Sequence, residues 1–245
     1  MAEDKKPKLT PVFKLLKTAL KIWWKNLKKF VMIYVWAALL MLIPVAVIAL
    51  ISGLGLWGNL TQSIAYWVIL IFFGFWALVA IIYFLIRAYL SMFLLIKNDF
   101  VGKEWDIYQE SAKYFWSYLA LGFLMTIIIM LCFFALIIPA IIASFFLMFA
   151  CYAFIFEGRR DIDAIKRSYG LVKNYWWAVF GRVLFLGLVF WVFGLILSSP
   201  LSIAPQNGAF AAVWGGVIQA ISLLVGPVSL LFTYLMFQDL VKIKK

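Results

Sequence analysis

Three long stretches of the chain carry no charged residue. They run from Phe30 to Ile86, from Tyr114 to Phe156 and from Val183 to Gln238. A helix needs roughly 20 apolar residues to cross about 30 Å of hydrocarbon, so each stretch is long enough for two crossings. Because lipid offers no hydrogen-bond partner to an exposed backbone, each crossing is expected to be helical. The run "IIIMLCFFALIIPAIIASFFLMF" also lacks the alternation of a membrane barrel strand.

Composition also indicates a membrane protein. Of the 245 residues, 67% are hydrophobic and only 13% are charged, whereas soluble domains carry about 25% charged residues. A surface this poor in charge is not suited to water. The sequence therefore predicts an all-α integral membrane protein whose single membrane domain covers residues 1–245.

Each uncharged stretch has a turn signal near its middle. The first contains "SGLGLWGNLTQS" at Ser52–Ser63, the second contains Pro139, and the third contains "SSPLSIAPQNG" at 198–208. At Pro139 a kink within one long helix is the alternative to a turn. We predict three helical hairpins and six spans, at about 30–52, 64–87, 117–138, 140–157, 177–198 and 211–239.

The charged residues lie in the N-terminal tail, near 87–113, near 157–182 and in the C-terminal tail, and the three predicted hairpin tips carry none. Lys and Arg collect on the cytoplasmic side of membranes. Six spans place all four charged segments there, so both termini are expected to be cytoplasmic. The net charge of +12 then reflects this bias and an attraction to anionic lipid head groups. We expect membrane lipids, and not nucleic acid, as partners.

A short motif precedes each predicted hairpin. "KIWW" at Lys21–Trp24, "KYFW" at Lys113–Trp116 and "KNYW" at Lys173–Trp176 each read Lys, any residue, aromatic, Trp. The pattern predicts a parallel internal repeat of a cytoplasmic amphipathic helix, an aromatic elbow and a hairpin. Trp rings and Lys side chains suit the head-group level of the bilayer. The predicted interfacial anchors are Lys21, Trp23, Trp24, Lys113, Trp116, Trp176 and Trp177.

The segment 8–29 predicts an amphipathic helix in the plane of the membrane interface. Thr10 is expected to cap it and Pro11 to take its first position. At about 100° per residue, one face is basic and consists of Lys14, Lys17, Lys21, Lys25 and Lys28. The opposite face is apolar and consists of Leu16, Leu20, Trp23, Leu27 and Phe30.

Similar helices are expected before the other hairpins. The middle one covers about 103–116, and Asp161 is the expected N-cap of the third. The apolar face of the third helix is predicted to be Ile162, Ile165, Tyr169 and Val172. These helices either only anchor the spans or form a cytoplasmic collar that gathers anionic lipid or docks a partner.

The block from Pro139 to Trp177 carries a distinctive frame. It contains Pro139, Glu157-Gly158, "AIKRS" at Ala164–Ser168 and "LVK" at Leu171–Lys173. This block resembles the multi-pass membrane domain attached to some bacterial glycerophosphodiester phosphodiesterases, and similar stand-alone proteins of bacterial and archaeal inner membranes. The resemblance implies a place in the inner membrane of a bacterium or archaeon. It does not imply the phosphodiesterase activity, because a barrel of about 250 residues has no room in this sequence.

The sequence contains no histidine, which excludes Ser-His-Asp and Cys-His catalysis and His-based zinc or haem sites. Cys132 and Cys151 lie within predicted spans, and two thiolates cannot form a four-thiolate site. We therefore expect no catalytic residue, no cofactor and no metal. An intramembrane enzyme is the least favoured class of function.

Two arginines are expected near the cytoplasmic ends of spans. Arg87 and Arg182 either snorkel or pair with Glu157 or Asp239, or they form a cytoplasm-facing pocket for a lipid phosphate or another anion. The candidate head-group contacts are Arg87, Arg182, Arg159, Arg160 and Lys173. The favoured function is non-enzymatic handling or transport of an anionic lipid or another amphiphile. The alternative is a membrane scaffold or regulatory subunit that docks a protein partner, or a second copy of the chain, through its cytoplasmic loops.

Overall fold

The structure is a computed structural model that describes residues 9–57, 63–203 and 209–244. The described residues form helices and connecting turns, and no strand occurs among them. The helices are α1 (Val12–Lys25), α2 (Leu27–Trp57), α3 (Ile64–Lys97), α4 (Glu104–Ala135), α5 (Ile137–Leu147), α6 (Ala150–Glu157), α7 (Asp161–Val172), α8 (Trp176–Ile203) and α9 (Ala209–Ile243). The predicted all-α class is confirmed for these parts of the chain.

Six helical segments within the described ranges are long and apolar enough to cross a membrane. They are Leu27–Gly53, Ile64–Lys97, Glu104–Phe134, Ile137–Glu157, Trp176–Pro200 and Phe210–Ile243. The mean hydropathy of their most apolar windows lies between 2.0 and 2.8. Six such segments indicate a multi-pass membrane protein.

The chain folds as two compact units. The first unit comprises Met1–Leu27 and Ser117–Lys245, and the second comprises Lys28–Trp116. In the second unit the ring of Trp36 lies 4.7 Å from that of Trp105, and Phe30 meets Phe100 edge-on. All seven side chains at 90–96 of α3 are buried, so this end of α3 is covered by protein on every face.

Two of the predicted turn segments are helical over their first residues. α2 continues through Ser52 and Gly53 to Trp57, and α8 continues through Pro200 to Ile203. Ser52 and Gly53 in α2, and Ser198 and Ser199 in α8, are helical, because a polar turn residue breaks a helix only weakly when the surroundings are lipid-like. The rest of these two predicted loops, 58–62 and 204–208, lies outside the described residues.

The break in the second uncharged stretch is a single residue. Leu136 has an extended backbone (φ −173°, ψ 153°) and separates α4 from α5. Pro139 lies in the first turn of α5, where its missing N–H is not needed for the helix. The predicted break is therefore present, but it precedes Pro139 by three residues, and the kinked single helix is the wrong alternative.

The predicted middle elbow is wrong. α4 runs without interruption from Glu104 to Ala135, so Lys113–Trp116 is a helical segment and 103–116 is not a separate helix. The first motif precedes a break at Asn26, and the third motif contains a break at 173–175. Nothing in the four-residue motif itself interrupts a helix, since Lys, Phe and Trp are all compatible with helical geometry.

α1 begins one residue later than expected, with Pro11 at the N-cap and Val12 as the first helical residue. It packs against α9 and buries Leu15 and Ala19. The packed face is therefore displaced by one position from the predicted line through Leu16 and Leu20. The predicted basic face is exposed at all four lysines that lie within α1, which are Lys14, Lys17, Lys21 and Lys25.

A hydroxyl group fills a break in the fourth span. α5 ends at Leu147, and α6 begins at Ala150. Between them the Phe149 N–H donates to the Ser168 Oγ at 3.1 Å, and the same hydroxyl donates to the Phe146 carbonyl. Both Phe149 and Ser168 are fully buried. Ser168 thus supplies hydrogen-bond partners to two main-chain groups that have none within the interrupted helix.

The buried face of α7 differs from the predicted one. Ile162 and Tyr169 are exposed, and Asp161 is the first helical residue rather than the N-cap, which is Arg160. The side chains that α7 buries are Ala164, Ser168, Leu171 and Val172. The apolar pattern was misleading because Ser168 is polar, yet it is buried through its two hydrogen bonds.

Aromatic packing joins α6 to α9 within the first unit. The Tyr152 hydroxyl donates to the Leu230 carbonyl at 3.1 Å. The Phe156 ring stacks on Tyr234 with centroids 4.5 Å apart, and the Phe237 ring lies 5.8 Å from that of Tyr152. These contacts hold α6 against α9.

Ser168→Ala should lower the free energy of unfolding by about 1–3 kcal/mol, because it leaves two buried main-chain groups without partners. Ser144→Ala is the matched control, since the Ser144 hydroxyl is exposed and bonds only to the Ile141 carbonyl of its own helix. The thermal unfolding midpoint of each purified variant in detergent measures the difference. Equal midpoints for the two variants would show that Ser168 does not support the break.

Candidate functional site

Arg182 is the most buried charged side chain among the described residues, with 8% of its surface exposed. It lies near the start of α8. Its Nη1 donates to the Ala178 carbonyl and its Nη2 to the Thr10 carbonyl, both at 3.0 Å. Its Nε is buried and has no hydrogen-bond partner in the part of the chain that the structure describes. A fixed guanidinium with an unused donor is a candidate for binding an anion.

Thr10 connects this arginine to α9. The Thr10 N–H donates to the Asp239 Oδ2 at 3.2 Å, while the Thr10 carbonyl accepts from Arg182. Asp239 therefore faces Arg182 through the backbone of Thr10. An ion pair of Arg182 with Glu157 or Asp239 was one of the predicted alternatives, and the described residues show no salt bridge between Arg182 and either carboxylate.

An apolar cavity of about 290 Å³ lies between α1, α8 and α9. α1 contributes Leu16, Leu20 and Trp23 to its wall, and α9 contributes Val225 and Val228. Its entire lining is hydrophobic. A cavity of this size and character is close to the lower end of the range for small-molecule sites.

The cavity and Arg182 share one face of α8. The wall residues on this helix are Leu186, Val189, Phe190 and Phe193. They follow Arg182 by four, seven, eight and eleven positions, which is the spacing of one helical face. Leu186 lies one turn, or about 6 Å, farther along the axis than Arg182. The guanidinium thus lies beyond one end of the apolar space.

α1 is held against the other two helices at both of its ends. The Trp23 Nε1 donates to the Leu224 carbonyl of α9 at 2.8 Å, and the Phe13 ring meets Phe185 of α8 edge-on at 5.1 Å. Trp23 was predicted to be an interfacial anchor, but its indole N–H is bound by protein. α1 consequently forms one wall of the cavity.

Arg87 belongs to the second unit and has its own partners. Its Nε donates to the Ser111 Oγ at 3.2 Å, and its Nη2 donates to the Tyr108 carbonyl. The guanidinium also lies 4.5 Å from the centre of the Tyr108 ring and 5.4 Å from that of Tyr83. Its predicted alternative partners, Glu157 and Asp239, belong to the first unit.

Glu157 receives two arginines. Arg167 approaches it as a fork, with Nε 2.8 Å from Oε2 and Nη2 2.8 Å from Oε1, and Arg159 adds one contact at 3.0 Å. Arg160 and Lys173 are exposed, and the Lys173 Nζ lies 5.8 Å from the Tyr169 ring. Of the candidate head-group contacts in this segment, Arg159 is therefore engaged by a carboxylate.

The distinctive block at 139–177 has structural roles at each of its motifs. Gly158 ends α6 with a positive φ of 68°, which favours glycine. Arg167 of "AIKRS" binds Glu157, and Ser168 fills the break after α5. Leu171 is fully buried. These residues fold the segment.

The predicted interfacial anchors divide into two groups. Trp24, Trp116 and Trp177 are 71%, 76% and 78% exposed, and Lys21 and Lys113 are exposed as well. Trp176, the motif residue of the third copy, instead stacks on Phe180. The third exposed tryptophan is thus one position later than the repeat predicts.

Sequence analysis identified Arg182 and missed the cavity beside it. Thr10 was assigned only a capping role, and Phe190, Phe193 and Val225 were seen only as apolar span residues. The one signal for the cavity in the sequence is the helical spacing of bulky residues after Arg182 along α8. This spacing is hard to recognise because α8 is apolar on all faces. Within 9–57, 63–203 and 209–244, no group of three or more Cys, Asp or Glu side chains is arranged to hold a metal ion.

Comparison with known proteins gives a family and no activity. No curated protein and no solved structure matches the chain. A family model described as a domain of unknown function, DUF7847, matches residues 111–240, which is more than half of the chain. Nothing in that match connects the chain with the glycerophosphodiester phosphodiesterases. The chain belongs to the DUF7847 family.

Proposed function

We propose that the first unit binds an anionic amphiphile, with its apolar chain in the cavity between α1, α8 and α9 and its head group at Arg182. The observation that carries the proposal is a buried arginine, with one unused donor, on the same helix face as an entirely apolar cavity. Anionic lipids and fatty acids combine these two chemical features. The proposed role is non-enzymatic handling of such a molecule.

The two parts of the site would contribute differently to binding. Burial of an apolar chain stabilises the complex by about 25 cal/mol per Å² of surface removed from water, and less where the chain comes from lipid. A hydrogen bond to a charged group contributes about 1.5–3 kcal/mol. Arg182 is therefore expected to select for the anionic head group, while the cavity selects for a chain.

Access to the site is compatible with a ligand that comes from the bilayer. Leu20 of α1 and Phe193 of α8 line the cavity and are also exposed. An amphiphile could insert its chain between these side chains without crossing the protein interior. Whether the bound molecule is then moved between leaflets is tested by lipid transfer in proteoliposomes.

Exposed lysines favour anionic lipid near the same helix. The four lysines of α1 point away from its packed face, and each Lys near an anionic membrane surface contributes about 1 kcal/mol. This supports the proposal that α1 lies at the cytoplasmic interface while it contacts α9. The lysines would then raise the local concentration of anionic lipid beside the cavity.

A second candidate function is a scaffold that docks a protein partner. Its support is the set of exposed cations on and beside α7, namely Arg160, Lys166 and Lys173. Such a surface suits an acidic partner. Crosslinking at these positions in cells, followed by isolation of the product, would distinguish a protein partner from lipid.

Arg182→Gln should weaken binding of phosphatidylglycerol to the purified protein by about ten- to a hundredfold, because it removes a charge-assisted hydrogen bond. Binding of diacylglycerol, which has no phosphate for the guanidinium to bind, should change little. Native mass spectrometry with each lipid measures both. Arg87→Gln is the control, because Arg87 lies in the other unit and is held by Ser111 and Tyr108.

Arg182 also supports α1, so a second variant separates binding from folding. Val189→Trp would fill the cavity without touching the guanidinium and should reduce the binding of both lipids. Thermal unfolding of each variant shows whether α1 remains in place. If Arg182→Gln retains phosphatidylglycerol as the unchanged protein does, the head-group site is wrong.

The proposed topology has three hairpins, both termini in the cytoplasm, and the inner membrane of a bacterium or archaeon as the location. Its support is the charge pattern, together with the resemblance of 139–177 to inner-membrane proteins. The repeated Lys-x-aromatic-Trp motif supports a parallel internal repeat, although the middle copy lacks its elbow. This topology places the start of α1 and the end of α9 on the same side of the membrane.

Single cysteines test the topology in a chain whose native cysteines are replaced by alanine. A membrane-impermeant maleimide should label Ser63→Cys in cells with a permeabilised outer envelope and an intact inner membrane. Lys103→Cys and Arg160→Cys should react only after lysis, because positive residues favour the cytoplasmic side. Labelling of either before lysis would contradict the proposed orientation.

A further inference from the structure

A second cavity of about 330 Å³ lies between α8 and α9. Its wall includes Gly194 and Ile218, which do not line the first cavity. Three residues line both cavities: Phe190, Phe193 and Val225. The two spaces are therefore neighbours that share a wall of two aromatic rings and one valine.

The second cavity is also suited to hydrocarbon. Its hydroxyl-bearing residues do not make it strongly polar, since the Ser229 Oγ donates to the Gly226 carbonyl of its own helix at 2.7 Å. Its volume is similar to that of the first cavity. Arg182 is the one buried cation among the described residues, and it lies on the helix that lines both cavities. Two comparable apolar spaces that share a wall then match a molecule with one head group and two chains.

We infer that the amphiphile is a two-chain anionic lipid, whose chains occupy the two cavities on either side of Phe190, Phe193 and Val225. This inference rests on the proposed function and specifies its ligand class. A single-chain lipid or fatty acid would leave the second cavity without a contribution to binding. A two-chain lipid would gain apolar contact in both spaces from one head-group position.

Gly194 offers a way to fill the second cavity alone. A Cβ atom at Gly194 would meet no atom within 4 Å, so Gly194→Leu can place its side chain in the cavity without moving the backbone. Gly181→Leu is the matched control. Gly181 lies on the same helix, is exposed, and lines neither cavity, and a Cβ there also meets nothing within 4 Å.

The experiment compares the binding of phosphatidylglycerol and lysophosphatidylglycerol to the full chain in detergent by native mass spectrometry. These lipids share a head group and differ in the number of chains. The unchanged protein should bind the two-chain lipid at least about tenfold more tightly, because burial of each additional methylene is favourable. Gly194→Leu should remove most of that preference and leave lysophosphatidylglycerol binding unchanged. Gly181→Leu should behave as the unchanged protein.

The outcomes separate this inference from the proposed function. The two-chain assignment is overturned if the unchanged protein binds the two lipids equally, or if Gly194→Leu keeps the preference for two chains. In either case, loss of binding of both lipids in Arg182→Gln would still support the head-group site. If the unchanged protein binds neither lipid, the proposed function fails first. Ile218→Phe fills the second cavity from α9 and should reproduce the Gly194→Leu result, which excludes a local effect on α8.

Discussion

The main-chain hydrogen bond is the constraint on which the rest of the structure depends. In hydrocarbon, a carbonyl or N–H without a partner is too costly to leave exposed, so helices continue through residues that would end them in water. α2 and α8 show this at Ser52 and Pro200. Where a helix does break in the fourth span, the hydroxyl of Ser168 supplies the missing partner.

The same constraint explains how α1 is attached. The carbonyl of Thr10, two residues before the start of α1, accepts from Arg182, and the Trp23 indole donates to a carbonyl of α9. These are polar contacts at the two ends of a helix whose middle packs through Leu15 and Ala19. On the face beside this packing strip, Leu16, Leu20 and Trp23 form the α1 wall of the cavity.

The fold class was predictable from the sequence, because uncharged runs and clustered charges are properties of the chain alone. Helix ends were less predictable. Leu136 makes a turn without any turn residue, and Lys113–Trp116 resembles an elbow but continues a helix. Local composition does not decide where a helix ends, since neighbouring helices can provide hydrogen-bond partners that allow a break.

The candidate site was predictable only in part, for the same physical reason. Arg182 stands out because it is charged in an apolar region, whereas Phe190 and Val225 do not differ from lipid-facing residues in the sequence. The polar Ser168 misled the assignment of the α7 face, because its burial depends on Phe146 and Phe149 in another part of the chain. Which of these side chains are buried depends on contacts between segments that are distant in the sequence, and the hydrophobic periodicity of one helix does not reveal those contacts.

The contact of α1 with α9 has a consequence for biogenesis. Trp23 and its acceptor Leu224 are separated by 201 positions in the chain. At a synthesis rate of about 5–20 residues per second, α1 emerges from the ribosome roughly ten to forty seconds before its partner. During that interval Leu15 and Ala19 have no protein surface to cover them. A nascent chain that stalls before α9 would expose this strip to quality-control proteases, which would make the last helix a checkpoint for completed insertion.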